Sequence, residues 1–316
     1  MTNKNKKRPT GYRAPAEAAP DRPARRGLLD SFLSPRAPGA TSMPSVRASL
    51  SRGVVTVASS PSIVGTTIAL MLIEWLALVA FGYQGPFALL LNQLGVPPVG
   101  TFSDLNLSTS VFGLQTGFIA LIGFIIVRSI ILAVMTALVV DQLQAGGTSP
   151  WSMVRAARIL PVAIAVNVAS VGLLVASTFV GSLLGAGFGL LVLISAIALG
   201  IYLFGFATTI AATEDRRMPD VMGRSVRAGR LPGAGNLTFS AVYVLAAIAL
   251  LAIPGKPGSQ VGVNPSVGAW ILVLAASLAH VAVLAALAFR YLSIADEVPE
   301  AAPRAAPTSG RQRRRR

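Results

Sequence analysis

The sequence has 316 residues, of which 53% are hydrophobic and 12% are charged, and its net charge at pH 7 is +15. Because soluble globular proteins carry about 25% charged residues and residues 159–213 contain none at all, this composition excludes a soluble fold. The sequence has no cysteine, which excludes disulfides, thiolate chemistry and cysteine-ligated metals. These patterns predict an all-α, polytopic membrane protein.

The chain begins with a predicted disordered tail, residues 1–42, which is rich in Pro, Ala, Arg and Lys. Its few large apolar groups cannot offset the entropy of ordering. The predicted membrane domain follows at residues 43–292. Four apolar residues near its start fall on one face of a helix: Val46, Leu50, Val54 and Val57. An apolar stripe with Arg47 and Arg52 on other faces is typical of an amphipathic helix in the lipid interface.

A short basic pattern is then repeated along the chain. Four identities recur at one offset of 69 residues: Pro150, Met153, Arg155 and Arg158, then Pro219, Met222, Arg224 and Arg227. A looser third copy begins at Met43. Because each copy precedes a pair of apolar runs, we predict three units, each made of an interfacial helix followed by a helical hairpin through the bilayer.

Six transmembrane helices are predicted, because about 20 apolar helical residues are needed to cross the hydrocarbon core. Their approximate ranges are 63–81, 111–140, 160–180, 190–211, 237–253 and 267–289. A glycine cluster, Gly181–Gly189, is expected to turn the chain and to allow close helix approach. Residues 293–316 are predicted to form a second disordered basic tail.

The distribution of positive charge predicts the orientation. Of the 27 Lys and Arg residues, 25 fall in four regions: 1–61, 141–159, 212–236 and 290–316. Six spans place all four regions on one face, which the positive-inside rule makes cytoplasmic. We therefore expect a multi-pass protein of the bacterial plasma membrane with both termini in the cytoplasm.

Two opposite charges fall at similar depth inside consecutive predicted spans, Glu74 in the first and Arg128 in the second. A charge at the bilayer centre costs ~3 kcal/mol, so we predict that the two form an ion pair. The pair either fixes the first hairpin or, with the single histidine His280, relays protons or solute. We favour the structural interpretation. Asn167 in the third span is expected to bond a neighbouring helix.

The basic segments supply six candidate contacts for anionic lipid headgroups at the cytoplasmic face: Arg47, Arg52, Arg155, Arg158, Arg224 and Arg227. Each basic residue near an anionic leaflet contributes ~1 kcal/mol, although plain positive-inside charge explains the pattern equally well. Membrane lipids are thus the expected partners, and an unidentified protein partner is left open. We interpret the arginine-rich stretch 311–316 as a flexible basic tail. On a membrane protein its nearest partners are lipid headgroups, and we expect no specific nucleic acid.

The stretch Ala211–Arg217, leading into Gly223–Arg227, and the surface helix before each hairpin carry a resemblance to a known group. The chain resembles bacterial six-span integral membrane proteins related to the membrane domain of some glycerophosphodiester phosphodiesterases. The resemblance covers about residues 43–292 and implies a six-helix membrane domain. The phosphodiesterase catalytic domain has no counterpart here, so its activity is not implied.

The sequence contains no P-loop, no G-x-S-x-G, no H-E-x-x-H and no carboxylates at metal-ligand spacing, so we expect neither an enzyme nor a cofactor. Our first hypothesis is a non-enzymatic scaffold or accessory protein of the bacterial cell envelope. The alternative is a small-solute or proton-coupled transporter that uses Glu74, Arg128 and His280. A packed interior would favour the scaffold, and a polar cavity open to one face would favour the transporter.

Overall fold

The computed structural model describes residues 43–80, 102–231, 235–251 and 267–299. Over these residues the chain is helical and contains no β-strand. The helices are α1 Val46–Ala58, α2 Pro61–Ala80, α3 Phe102–Ala145, α4 Ser152–Leu184, α5 Ala186–Phe204, α6 Ala207–Thr213, α7 Met218–Gly229, α8 Asn236–Leu251 and α9 Val267–Ile294, followed by a 3-10 turn, Ala295–Glu297. The predicted N-terminal tail, 1–42, lies outside the described residues.

Four helical stretches of the described residues are long and apolar enough to cross a membrane: Ile125–Ala145, Ser152–Ser170, Gly187–Thr213 and Leu274–Glu297. A bent pair of helices meets the same criterion when taken together, Val46–Ala58 and Pro61–Ile73, with an angle of 82° between them. The described residues contain five candidate spans if this pair counts as one. Asn236–Leu245 is a shorter apolar helix. The described residues therefore form an all-helical structure in which four to five helices are apolar enough for a membrane, and the six predicted spans stay a prediction.

The second basic segment differs from the predicted separate surface helix. Ser152–Leu184 is one continuous helix, so Arg155 and Arg158 lie in its first two turns. Pro161 lies inside this helix without ending it. In the other two copies a non-helical stretch separates the basic helix from the next helix, Ser59 and Ser60 in the first and residues between Gly229 and Asn236 in the third. After Arg158 the helix instead continues through Pro161 into the apolar run.

The turn predicted at the glycine cluster lies at Gly185, between α4 and α5. Its φ of +99° falls in a region that side chains rarely adopt, which explains the glycine. A β-carbon on Gly181 would lie 2.9 Å from the Gly189 Cα, so the two helices approach closely where they leave the turn. The small residues of this cluster therefore allow both the reversal and the close contact.

The N-terminal helix α1 packs against the last helix, α9. Pro44 and Ser49 contact Arg290, whereas Gly53 contacts Ala282 further back along α9, so the two helices run antiparallel. The buried face of α1 consists mainly of small residues: Ser49, Gly53, Thr56 and Val57. The stripe that we expected to act as one apolar face is divided, because Val54 is 58% exposed while Val57 is buried. Close packing of small residues and the three other members of the stripe, Val46, Leu50 and Val57, together hold α1 against the core.

The predicted C-terminal tail also begins later than expected. Residues 293–299, which we assigned to that tail, are part of the described structure: α9 extends to Ile294, and Val298 is buried. The remainder of the tail, 300–316, lies outside the described residues. The chain is ordered through this stretch because side chains of α7 hold its backbone carbonyls, as the contacts of Arg224 and Arg227 show.

Candidate functional site

The interior of the helix bundle contains a polar cluster that begins on α3. Arg128 and Ser129 of α3 are buried, and Asn167 of α4 is buried beside Ser129. The Asn167 Nδ2 donates a hydrogen bond to Ser129 Oγ at 3.0 Å, and Ser129 Oγ donates to the Ile125 carbonyl at 2.6 Å. Asn167 thus joins α3 to α4, a common use of polar residues between membrane helices.

His280 of α9 has both ring nitrogens occupied. Its Nδ1 lies 2.7 Å from the Ala276 carbonyl oxygen, which can only accept, so Nδ1 carries the proton. Its Nε2 accepts from the Tyr243 hydroxyl at 3.3 Å, and the two rings meet edge to face with centroids 6.1 Å apart. A neutral imidazole with the proton on Nδ1 satisfies both contacts, which fixes the tautomer and the ring orientation.

Arg128 lies within electrostatic range of both Tyr243 and His280, so α3, α8 and α9 bring these three groups into one cluster. Sequence reasoning missed Tyr243, because one tyrosine in an apolar helix forms no pattern. Glu74 lies on α2, but its side chain is outside the described residues, so its ion pair with Arg128 stays a prediction.

A second cluster surrounds Arg224 on the amphipathic helix α7. Arg224 is 5% exposed, and its Nε lies 2.9 Å from Glu214 Oε1 and 2.9 Å from the Tyr291 hydroxyl oxygen. Its Nη2 donates to the Ala295 carbonyl at 2.8 Å, and its Nη1 to the Val298 carbonyl at 3.3 Å. One guanidinium therefore connects the end of α6, the helix α7 and the end of α9.

The Arg224 guanidinium keeps its charge although it is buried. Burial by itself would lower the pKa of Arg224, but the hydrogen bond with Tyr291 and the negative charge of Glu214 more than offset it, so the pKa is raised above its usual value. Arg216 also binds Glu214 through its Nε. The carboxylate is thus shared by two arginines, as buried charges require.

A third cluster is centred on Arg290, whose side chain is fully buried. Its Nη1 donates to the Pro44 carbonyl at 2.9 Å and to Ser49 Oγ at 3.1 Å, while Nη2 donates to Asn236 Oδ1 at 3.0 Å. The guanidinium also lies over the Phe239 ring, 5.4 Å from its centroid. Arg290 therefore joins α1, α8 and α9.

The second basic segment has its own ion pair. Asp141, near the end of α3, is buried and accepts hydrogen bonds from Arg155 Nη1 and from Ser152 Oγ at the start of α4. The carboxylate precedes the Gly146–Gly147 loop, and both donors follow it. This pair therefore fixes the loop between α3 and α4.

The six arginines that the sequence offered as lipid contacts separate into two groups. Arg47, Arg52 and Arg158 are exposed. Arg224 has a different role from the one expected, because its donors bind internal acceptors and its side chain is buried. Arg155 is bound to Asp141, and Arg227, which is half-buried, donates from Nε to the Pro299 carbonyl at 2.9 Å. The same sequence motif therefore supplies arginines that bind other groups of the protein and arginines that are exposed.

Comparisons of this chain with protein-family models, with curated proteins and with solved structures found no match.

Proposed function

We propose that the protein is a non-enzymatic scaffold or accessory protein of the bacterial cell envelope. The supporting observation is that polar groups buried in the described interior bind one another. Asn167 binds Ser129, His280 binds Tyr243 and the Ala276 carbonyl, and Arg290 binds three acceptors. Around them, buried apolar residues of α3, α4 and α9 form one continuous core. Such an interior suits a fixed helical frame.

The placement in the membrane belongs to the same proposal. We infer six spans in the bacterial plasma membrane, with both termini cytoplasmic, from the charge distribution of the sequence. The resemblance to the membrane domain of glycerophosphodiester phosphodiesterases supports a six-helix frame without the catalytic domain. The clusters of Arg224, Arg290 and Asp141 belong to basic segments, which are cytoplasmic in this arrangement.

Labelling of single cysteines tests this orientation, because the chain has no cysteine of its own. Gly147 and Gly187 are exposed, and a side chain at either position meets no atom within 4 Å. We expect Gly187→Cys to react with a membrane-impermeant maleimide in intact cells. Gly147→Cys should react only after the membrane is opened. The reverse result, or labelling of both sites in intact cells, would contradict the proposed orientation.

Transport is the second candidate function, and the cluster of Arg128, Tyr243 and His280 favours it. An imidazole held between a hydroxyl and a carbonyl near a buried guanidinium is a suitable element for moving protons. Ionisable residues inside membrane helices also mark transport pathways in many proteins. The transporter would use Glu74, Arg128 and His280.

Paired substitutions at Glu74 and Arg128 separate the two functions. Removal of one partner leaves an uncompensated charge in low dielectric, so Glu74→Gln and Arg128→Met should each lower the yield of folded protein, and the double variant should recover much of it. A scaffold should then regain its ability to complement a deletion strain. If the protein is a transporter, the double variant should regain folding but not function. Proteoliposomes of the parent should then carry a proton or solute flux that those of the double variant lack. Single variants as stable as the parent would disprove the pair.

A further inference from the structure

The three repeated basic segments share a pattern of buried and exposed positions when their sequences are aligned. The 69-residue offset aligns Arg155 with Arg224, and the Met-Pro start of the looser copy aligns Ser49 with both. In the second and third copies this first position binds an acid near the end of the preceding apolar helix, Asp141 or Glu214. In the first copy Ser49 accepts a hydrogen bond from Arg290 of α9 instead. The residue at the first position therefore bonds to another helix of the protein in every copy.

The flanking buried positions follow the same alignment. Three aligned pairs are buried in the second and third copies: Ser152 with Val221, Ala156 with Ser225, and Ile159 with Ala228. Gly53 of the first copy aligns with Ala228 and is buried as well. Equivalent faces of the three helices therefore pack against the protein, which leaves the opposite faces directed outward.

The second arginine of each copy lies three residues after the first position: Arg52, Arg158 and Arg227. Arg52 and Arg158 are exposed, and Arg227 is half-buried. Three exposed apolar side chains precede Arg158 by four to seven residues: Trp151 is 74% exposed, and Met153 and Val154 are more than half exposed. A tryptophan with open apolar neighbours beside arginines suits the headgroup boundary of a bilayer, where both kinds of side chain are enriched.

We propose that Arg158, the exposed second arginine of the middle copy, binds the phosphate of an anionic phospholipid, with Trp151 two helical turns before it. The inference rests on the proposed placement in the membrane and goes beyond it by naming the residues and the ligand. The occupant is a bilayer lipid, since Arg158 lies near the start of a helix apolar enough to span a membrane, where the headgroup boundary falls. The first arginine, Arg155, is occupied by Asp141 and contributes structure only.

Tryptophan quenching by brominated lipids tests this assignment. Trp75→Phe and Trp270→Phe leave Trp151 as the only tryptophan, which is excited selectively at wavelengths that tyrosine does not absorb. The protein is placed in phosphatidylcholine nanodiscs that carry the same minor fraction of brominated phosphatidylglycerol or of brominated phosphatidylcholine. We expect about fivefold enrichment of the anionic lipid near Trp151, the ratio that corresponds to ~1 kcal/mol for one arginine at an anionic surface.

Substitution of individual arginines identifies the residue that causes the preference for anionic lipid. Arg158→Gln should abolish it and Arg158→Lys should retain most of it, since a lysine still offers a positive charge. Arg230→Gln removes another exposed arginine outside the repeat and should leave the preference unchanged. Equal quenching of the parent by the two lipids, or a preference that survives Arg158→Gln, would overturn the assignment. Quenching by neither lipid would contradict the membrane placement of Trp151 as well.

Discussion

Replacing Arg290 with methionine is expected to lower the melting temperature of the detergent-solubilised protein by on the order of 10 °C, the largest effect of any single substitution considered for this chain. Methionine matches the length of the arginine stem but donates no hydrogen bonds. The Pro44 carbonyl, Ser49 Oγ and Asn236 Oδ1 would each lose a charged donor in a site that water does not reach. Each buried acceptor left without its donor costs about 1–3 kcal/mol, so the free energy of unfolding should fall by several kcal/mol.

Two further variants decide how Arg290 acts. Arg290→Lys keeps the charge but has a single nitrogen in place of the planar fork that reaches three acceptors, so we expect an intermediate melting temperature. Arg230→Met, at an exposed arginine, serves as the control and should melt with the parent. If Arg290→Met also melted with the parent, the connection between α1, α8 and α9 would not contribute to stability. Faster proteolysis near Pro44 in Arg290→Met would show that α1 has detached.

Gly53→Ala is expected to have the second largest effect. The added methyl group would overlap the Ala282 carbonyl oxygen and lie 3.0 Å from the Ala286 amide nitrogen, both backbone atoms of α9. A backbone cannot move aside as a side chain can, so α1 must shift away from α9. We expect a loss near the upper end of the ~1–3 kcal/mol typical of overpacked cores, measured as a lower melting temperature.

Gly65 provides a matched control for this substitution. It is also a helical glycine, on α2, but it is exposed and a β-carbon there meets no atom within 4 Å. Gly65→Ala should therefore be neutral or stabilise by up to about 1 kcal/mol through helix propensity. Equal melting temperatures for Gly53→Ala and Gly65→Ala would mean that the close approach of α1 to α9 does not limit stability.

Much of the helical frame could be predicted from the sequence, because apolar runs and glycine turns are local signals. The helices around Arg128 and Asn167 lie where the apolar runs predicted them, and the turn at Gly185 follows from its glycine cluster. The continuity of α4 could not be predicted locally. Pro161 follows Arg158 by three residues, and a proline at such a position usually ends or kinks a helix, yet α4 continues through it.

The division of the arginines could not be predicted from the motif alone. Arg155 and Arg158 are three residues apart on one helix and have the same chemistry, yet Arg155 binds Asp141 and Arg158 is exposed. The difference depends on which acid the preceding helix brings near, a contact between residues distant in sequence. Asp141 and Glu214 at the ends of apolar runs were a usable signal. The pairing of Tyr243 with His280 had none, since helix packing alone decides it.

The contact between Pro44 and Arg290 can form only late in synthesis of the chain. The two residues are 246 positions apart, so α1 leaves the ribosome long before its docking surface on α9 has been made. At about 5–20 residues per second, that interval lasts roughly 12–50 s. During this time the residues of α9 that Ser49 and Gly53 contact do not yet exist. Among the described helices, the packing of α1 against α9 therefore forms only after the helices between them have been synthesised.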